Sequence, residues 1–194
     1  INEKSIILPL GEVKITKKIN SILIILRMNT DVQIWDQNRK RLFEYPKVEY
    51  TKRSINSLIK SIKYFRKKYS NINIKTIIVD DNSNIKNLDT IRKIIDGNNI
   101  ELINLDYSKY QDKISKQNNK ETFANLASLL QSFEIGRELG EDLIYFVEDD
   151  YLHFEPMLEE MVTSYERIAS QIKKDIFMCP SDYPYLYMNN LKTN

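Results

Sequence analysis

Five short apolar runs, each the length of a buried strand, are spaced along this chain with a helical period between each pair. The first is Ser21-Ile22-Leu23-Ile24-Ile25-Leu26, continuous in β-branched residues and leucine. Such a run, without polar alternation, reads as a strand covered on both faces, as in a parallel sheet. Ile74-Lys75-Thr76-Ile77-Ile78-Val79, Ile100 to Leu105, Leu143-Ile144-Tyr145-Phe146-Val147 and a short run from Ile176 to Cys179 follow it. Between them, apolar residues recur at three- and four-residue steps. Ile55, Leu58, Ile59, Ile62 and Phe65 mark one helix, with Thr51 as its expected N-cap. Leu88, Ile91, Ile94 and Ile95 mark a second, stopped by Gly97. Phe123, Leu126, Ala127, Leu130 and Phe133 mark a third, running towards Gly140, and Pro156 opens a fourth. This alternation predicts an α/β domain: a three-layer α/β/α sandwich with a mainly parallel sheet and right-handed crossovers.

Composition removes several classes of function. A net charge of +2 on 194 residues argues against a dedicated nucleic-acid binder. The single cysteine, Cys179, forbids an internal disulfide and argues against a Cys-based zinc site. The four glycines, Gly11, Gly97, Gly136 and Gly140, do not fall in GxGxxG or Walker spacing, and neither motif occurs. No apolar run approaches the ~18 residues of a membrane span. The expected location is the cytoplasm, with contact to a membrane surface left open. Ile1 at the start and a Tyr-rich stretch before Asn194 are what a fragment of a longer protein would show.

In an open α/β sheet, ligands bind beyond the carboxyl ends of the strands. Two runs end in acids there: Val79-Asp80-Asp81-Asn82-Ser83 and Val147-Glu148-Asp149-Asp150. The first strand also ends in polar residues, Arg27-Met28-Asn29-Thr30. Parallel strands would bring all three ends to one rim. Three adjacent carboxylates repel, and a hard divalent cation bridging them would lower that cost. A solvated acidic turn ahead of the Pro156 helix is the plainer alternative. Asp80-Asp81 is open to the same choice, between an Asx turn and an acceptor for a base imide N–H or a ribose hydroxyl.

These stretches, with the helix around Ser54-Ile55-Asn56-Ser57-Leu58, resemble the GT-A glycosyltransferases of the family-2-like group, across roughly 21–180. The resemblance implies a Rossmann-like GT-A fold and a nucleotide-diphospho-sugar donor, a UDP-, GDP- or TDP-sugar. It implies metal-dependent transfer to a saccharide or other hydroxyl acceptor, with inversion. On it, Asp81, with Asp80 beside it, contacts the base. Arg27 and Asn29 line the base and ribose pocket. Glu148, Asp149 and Asp150 correspond to the DXD motif, with Asp150 and Glu148 on Mn²⁺ or Mg²⁺ and Asp149 on the donor. The chain departs from the family in three respects. The loop Gln117-Asn118-Asn119-Lys120-Glu121 has no glycine, the segment 30–48 is long, and only 44 residues follow Asp150.

On this reading residues 1–19 are an N-terminal extension, 20–150 the nucleotide-sugar-binding core, and 151–194 the incomplete start of an acceptor-side half. Asp182, in Ser181-Asp182-Tyr183-Pro184, is the candidate catalytic base, against an Asx turn before Pro184. Tyr183, Tyr185 and Tyr187 read as a core edge or a sugar platform. His153, the only histidine, reads as a group behind the metal or at the surface sooner than as a ligand. Lys120 is a candidate diphosphate contact, and Arg39-Lys40-Arg41, beside Trp35, a solvated loop or an anion contact. The competing reading is a non-catalytic nucleotide-sugar-binding module. A receiver-like phosphorylation domain is disfavoured, because a strand and a long helix precede Asp80-Asp81.

Overall fold

In the computed structural model, which describes residues 11–32, 45–114 and 120–180, four of the five apolar runs are strands. They are β1 (Ser21–Met28), β2 (Asn73–Asp80), β3 (Ile100–Asn104) and β4 (Leu143–Glu148). All pair in parallel, in the order β3-β2-β1-β4. The fifth, Ile176 to Cys179, forms no strand, and Phe177 and Cys179 are exposed. A four-residue apolar run is too short to demand a place in a sheet.

Helix α1 (Lys47–Lys68) joins β1 to β2, α2 (Ile85–Ile95) joins β2 to β3, and α3 (Lys120–Leu139) lies between β3 and β4. A single turn of 3-10 helix, Tyr107–Tyr110, lies in the stretch the sequence reads as loop. Strand alternation divides the core. Leu23, Ile25, Ile77 and Val79 form one buried cluster, with Ile135 of α3 packed on it. Ile22, Ile24, Leu26 and Ile78 point to the other face and are equally buried. On that side α1 buries Ile55, Leu58, Ile59, Ile62 and Phe65, the stripe its periodicity predicts, and packs against α2.

Two helix ends differ from expectation or explain it. The N-cap of α1 is Pro46, with no side-chain cap bond, while Thr51 lies inside the helix. From there the Thr51 hydroxyl donates to Asp149 at 2.6 Å instead of capping the helix. Gly97 sits at φ +68, a conformation that ends α2 without the penalty other residues meet.

The strands and helices α1 to α3 belong to one compact unit, Ile19–Leu158. That unit takes in residues 151–158, which the sequence reading places with the acceptor side. Helix α4 (Met157–Ile172) lies mostly in a second unit, whose described residues are 11–18 and 159–180. There Ser170 Oγ accepts from Thr16 N and Lys17 N at 2.9 and 3.0 Å, and Asp175 accepts from Lys17 and Tyr165. Among the described residues no helix is long and apolar enough to cross a membrane.

Candidate functional site

The strand order places β1 between two neighbours reached by oppositely directed connections, which is the switch point where open α/β sheets bind ligands. Register sets the rim. Met28 lies beside Asp80, and Arg27 beside Glu148, so the polar ends of β1, β2 and β4 share one edge.

At the β2 side, Asp81 is the organised group. Asn29 Nδ2 donates to its Oδ2 at 3.1 Å and to its carbonyl at 3.2 Å, and the Tyr107 hydroxyl donates to Oδ1. Burial and then the Asp81 carboxylate push the Tyr107 phenol up to about 12, so it stays a donor at any ordinary pH. The 3-10 turn that carries Tyr107 is pinned to α3. Tyr110 Oη and Lys113 Nζ both reach Glu134, at 2.8 and 2.7 Å, and Gln131 holds the backbone at Asp106 and Asn104. Phe123 of α3 stands beside Tyr107, ring centroids 6.1 Å apart. The result is a carboxylate fixed as an acceptor, next to an aromatic wall. Tyr107 escaped the sequence reading because its segment has no apolar period. The rule that strand ends carry function applies to β3 as much as to β2, and would have flagged it.

Asp80 has a different place. It is fully buried, one oxygen accepts from Ser83 N at 3.0 Å, and the other has no partner. Burial pushes its carboxyl up. Ser83 Oγ in turn accepts from Thr30 N at 2.9 Å, joining the ends of β1 and β2. Asp80 therefore sits beneath the rim, in the turn that presents Asp81.

The acidic triplet is split by the alternation of the strand it ends. Glu148 points towards α3 and pairs with Arg27. Arg27 is itself tied to α3, through Asn125 Oδ1 at 3.0 Å and Ser128 Oγ at 3.1 Å. Asp149 points the opposite way, into the N-terminal turns of α1. It meets Lys47 Nζ at 2.7 Å and Thr51 Oγ1 at 2.6 Å and is buried. Burial pushes its carboxyl up, against the pull of Lys47 and Thr51. Repulsion within the triplet is thus met by two cations of the chain itself, one on each face. Glu148 and Asp150 are both exposed, but only Asp150 of the three makes no hydrogen bond or ion pair with a described residue. No group of three or more His, Cys, Asp or Glu among the described residues is arranged to hold a metal. Asp150 fits the Mg²⁺ habit of taking one or two carboxylates and completing its shell with substrate phosphates and water. Glu148 fits only on leaving Arg27, and Asp149 does not fit.

His153 is a buried packing group. Ser57 Oγ spends its one proton on Ser54 O at 2.7 Å, so it can only accept from His153 Nδ1, 3.3 Å away. Nε2 then accepts from the Tyr145 hydroxyl at 3.1 Å. Both ring nitrogens are engaged by a neutral ring, and burial lowers its pKa to about 4. This gives a pH dependence with a definite sign. A histidine held neutral contributes its stability above its ordinary value of 6.5, and loses it as pH falls towards about 4. The full loss is about 3 kcal/mol. Asp80 and Asp149, both pushed up, oppose it at the acid end, because the folded state takes up their protons first. Urea midpoints should therefore fall between pH 6.5 and about 5, and His153→Gln should flatten that slope. A parent profile already flat there would refute the assignment.

Asp182, the Tyr183 to Tyr187 stretch, Arg39-Lys40-Arg41, Trp35 and Gln117 to Asn119 lie outside the described residues, as does the side chain of Lys120. Compared with protein-family models, curated proteins and solved structures, the chain matches none.

Proposed function

We propose that this chain is a GT-A, family-2-like glycosyltransferase that binds a nucleotide-diphospho-sugar at the β1–β2–β4 rim and passes the sugar to an acceptor hydroxyl. One observation carries the reading: acids at the ends of β2 and β4 flank β1 at the switch point of an all-parallel sheet. Asp81, held by Asn29 and Tyr107, can only accept, so it suits a base edge that donates. Uracil and thymine offer an imide N–H there, and guanine a ring N–H. The donors expected are therefore UDP-, TDP- or GDP-sugars.

Asp150 is the residue to hold Mn²⁺ or Mg²⁺ with the diphosphate. When bound, such an ion neutralises charge that builds on the departing diphosphate. The acceptor oxygen forms a bond to the anomeric carbon as the bond from that carbon to the diphosphate oxygen breaks. The hydroxyl proton passes to a carboxylate, for which Asp182 is the candidate, and a single displacement inverts the anomeric centre. Arg27 and Glu148 keep the crevice between β1 and β4 charge-balanced, and Asp149 fixes the start of α1 behind it.

Calorimetric titration with UDP, GDP and TDP, each with and without Mn²⁺, tests this. One nucleotide should bind about tenfold or more tightly with the metal. A folded protein that binds none of them defeats the proposal. A second reading, a nucleotide-sugar-binding module without transferase activity, is favoured by the pairing of two of the three rim acids with Arg27 and Lys47. It predicts the same titration with neither sugar transfer nor donor hydrolysis.

A further inference from the structure

Helix α1 is far more basic than the chain that contains it. Its 22 residues hold eight Lys or Arg against one acid, Glu49, which makes it +7 in a chain of net +2. Some of that charge is used internally. Lys47 is paired with Asp149, Lys52 pairs with Glu49 at 2.6 Å, and Arg66 donates to Ile74 O. The remainder is arranged. Arg53, Lys60, Lys63 and Lys67 are exposed, and their spacing of seven, three and four puts them on one face. Lys60, Lys63 and Lys67 have no ion pair with a described residue. A helix of this length spans about 33 Å, so the cations form a stripe and not a single anion pocket.

A second feature adjoins the N-terminal half of that stripe. The loop between β4 and α4 exposes two large apolar side chains, Leu152 at 71% and Phe154 at 81%. Phe154 lines a shallow groove of about 450 Å³ together with Lys52, Arg53, Asn56 and Lys60. Glu155 and the paired Glu49 are the acids there. We propose that this face of α1, with Leu152 and Phe154, docks on an anionic lipid bilayer.

Charge complementarity selects an anionic partner, and the apolar pair selects among anions. A soluble polyanion gains nothing from Leu152 and Phe154, whereas the boundary between headgroups and acyl chains buries them. Lysines held near an anionic surface each raise binding about fivefold, and the effect fades within a Debye length. The docking does not depend on the transferase reading, and its test uses no nucleotide.

The whole chain is sedimented with vesicles of phosphatidylcholine alone and of one part phosphatidylglycerol to two parts phosphatidylcholine. Binding is expected only to the anionic vesicles, and should fall as salt rises. The triple change Lys60→Gln, Lys63→Gln, Lys67→Gln should lower the partition coefficient roughly 100-fold. Leu152→Ser with Phe154→Ser should lower it further without changing its salt dependence. All five positions are exposed, so thermal melting should be unchanged in both variants. Equal binding to neutral vesicles, or no loss in the triple variant, overturns the proposal. So does polyphosphate binding that matches vesicle binding and ignores the two serine changes, which would identify a soluble polyanion as the partner.

Discussion

Asp149→Ala should lower the stability of the Ile19–Leu158 unit by about 3–5 kcal/mol, the largest effect of any single change at the acidic triplet. The carboxylate is buried where β4 ends, and its two partners, Lys47 and Thr51, lie in the first turns of α1. Its removal strands the Lys47 ammonium, only 11% exposed, without a counter-ion. The loss is a large fraction of the about 5–15 kcal/mol that holds a domain folded. The reverse deletion costs less. In Lys47→Met the Asp149 carboxyl, already pushed up by burial, can take a proton and keep its contact with Thr51. Replacing both, as Lys47→Met with Asp149→Leu, should recover most of the stability, because no charge is then left buried. Urea denaturation of the four proteins measures this. A loss below about 1 kcal/mol in Asp149→Ala, the size of a surface ion pair, would show the pair to be solvated.

The same carboxylate shows where sequence reading stops. The runs that became β1 to β4 are legible because a strand covered on both faces must be apolar at every position. The stripe of α1 is legible for the corresponding reason. The rim follows from these, since parallel strands must end together, and with it the two acidic clusters that end β2 and β4. Which acid of Glu148-Asp149-Asp150 faces inward does not follow from their adjacency. That depends on strand phase, and on a lysine 102 positions earlier in the chain that lies in the right turn of α1. Thr51 illustrates the same gap. Its residue type suits a helix cap, yet the acceptor that claims its hydroxyl comes from another element. Tyr107 was hidden because one turn of 3-10 helix leaves no periodicity. In each case the missing information is a partner distant in sequence, while the visible information is a local pattern of burial.

Asp150→Ala and Asp81→Ala should separate the two halves of donor recognition. Neither carboxylate is buried as Asp149 is, so both variants should fold. Loss of Asp150 removes the carboxylate offered to the metal–diphosphate, where charge develops as the sugar departs. Transfer should fall by about 100- to 1000-fold, the scale for removing one group that stabilises developing charge. Nucleotide binding should survive but lose its response to Mn²⁺. Loss of Asp81 removes a charged hydrogen bond to the base, a contact made alike before and during reaction. Affinity should drop about tenfold to a hundredfold, with and without metal, and the preference among UDP, GDP and TDP should narrow. The double variant should then show the sum of the two losses, since the groups are assigned to different parts of the donor and share no hydrogen-bond partner among the described residues. If both single variants lose metal response and base preference together while remaining folded, Asp81 and Asp150 do not divide the nucleotide between them. The rim would then not be reading a nucleotide-sugar in the orientation proposed.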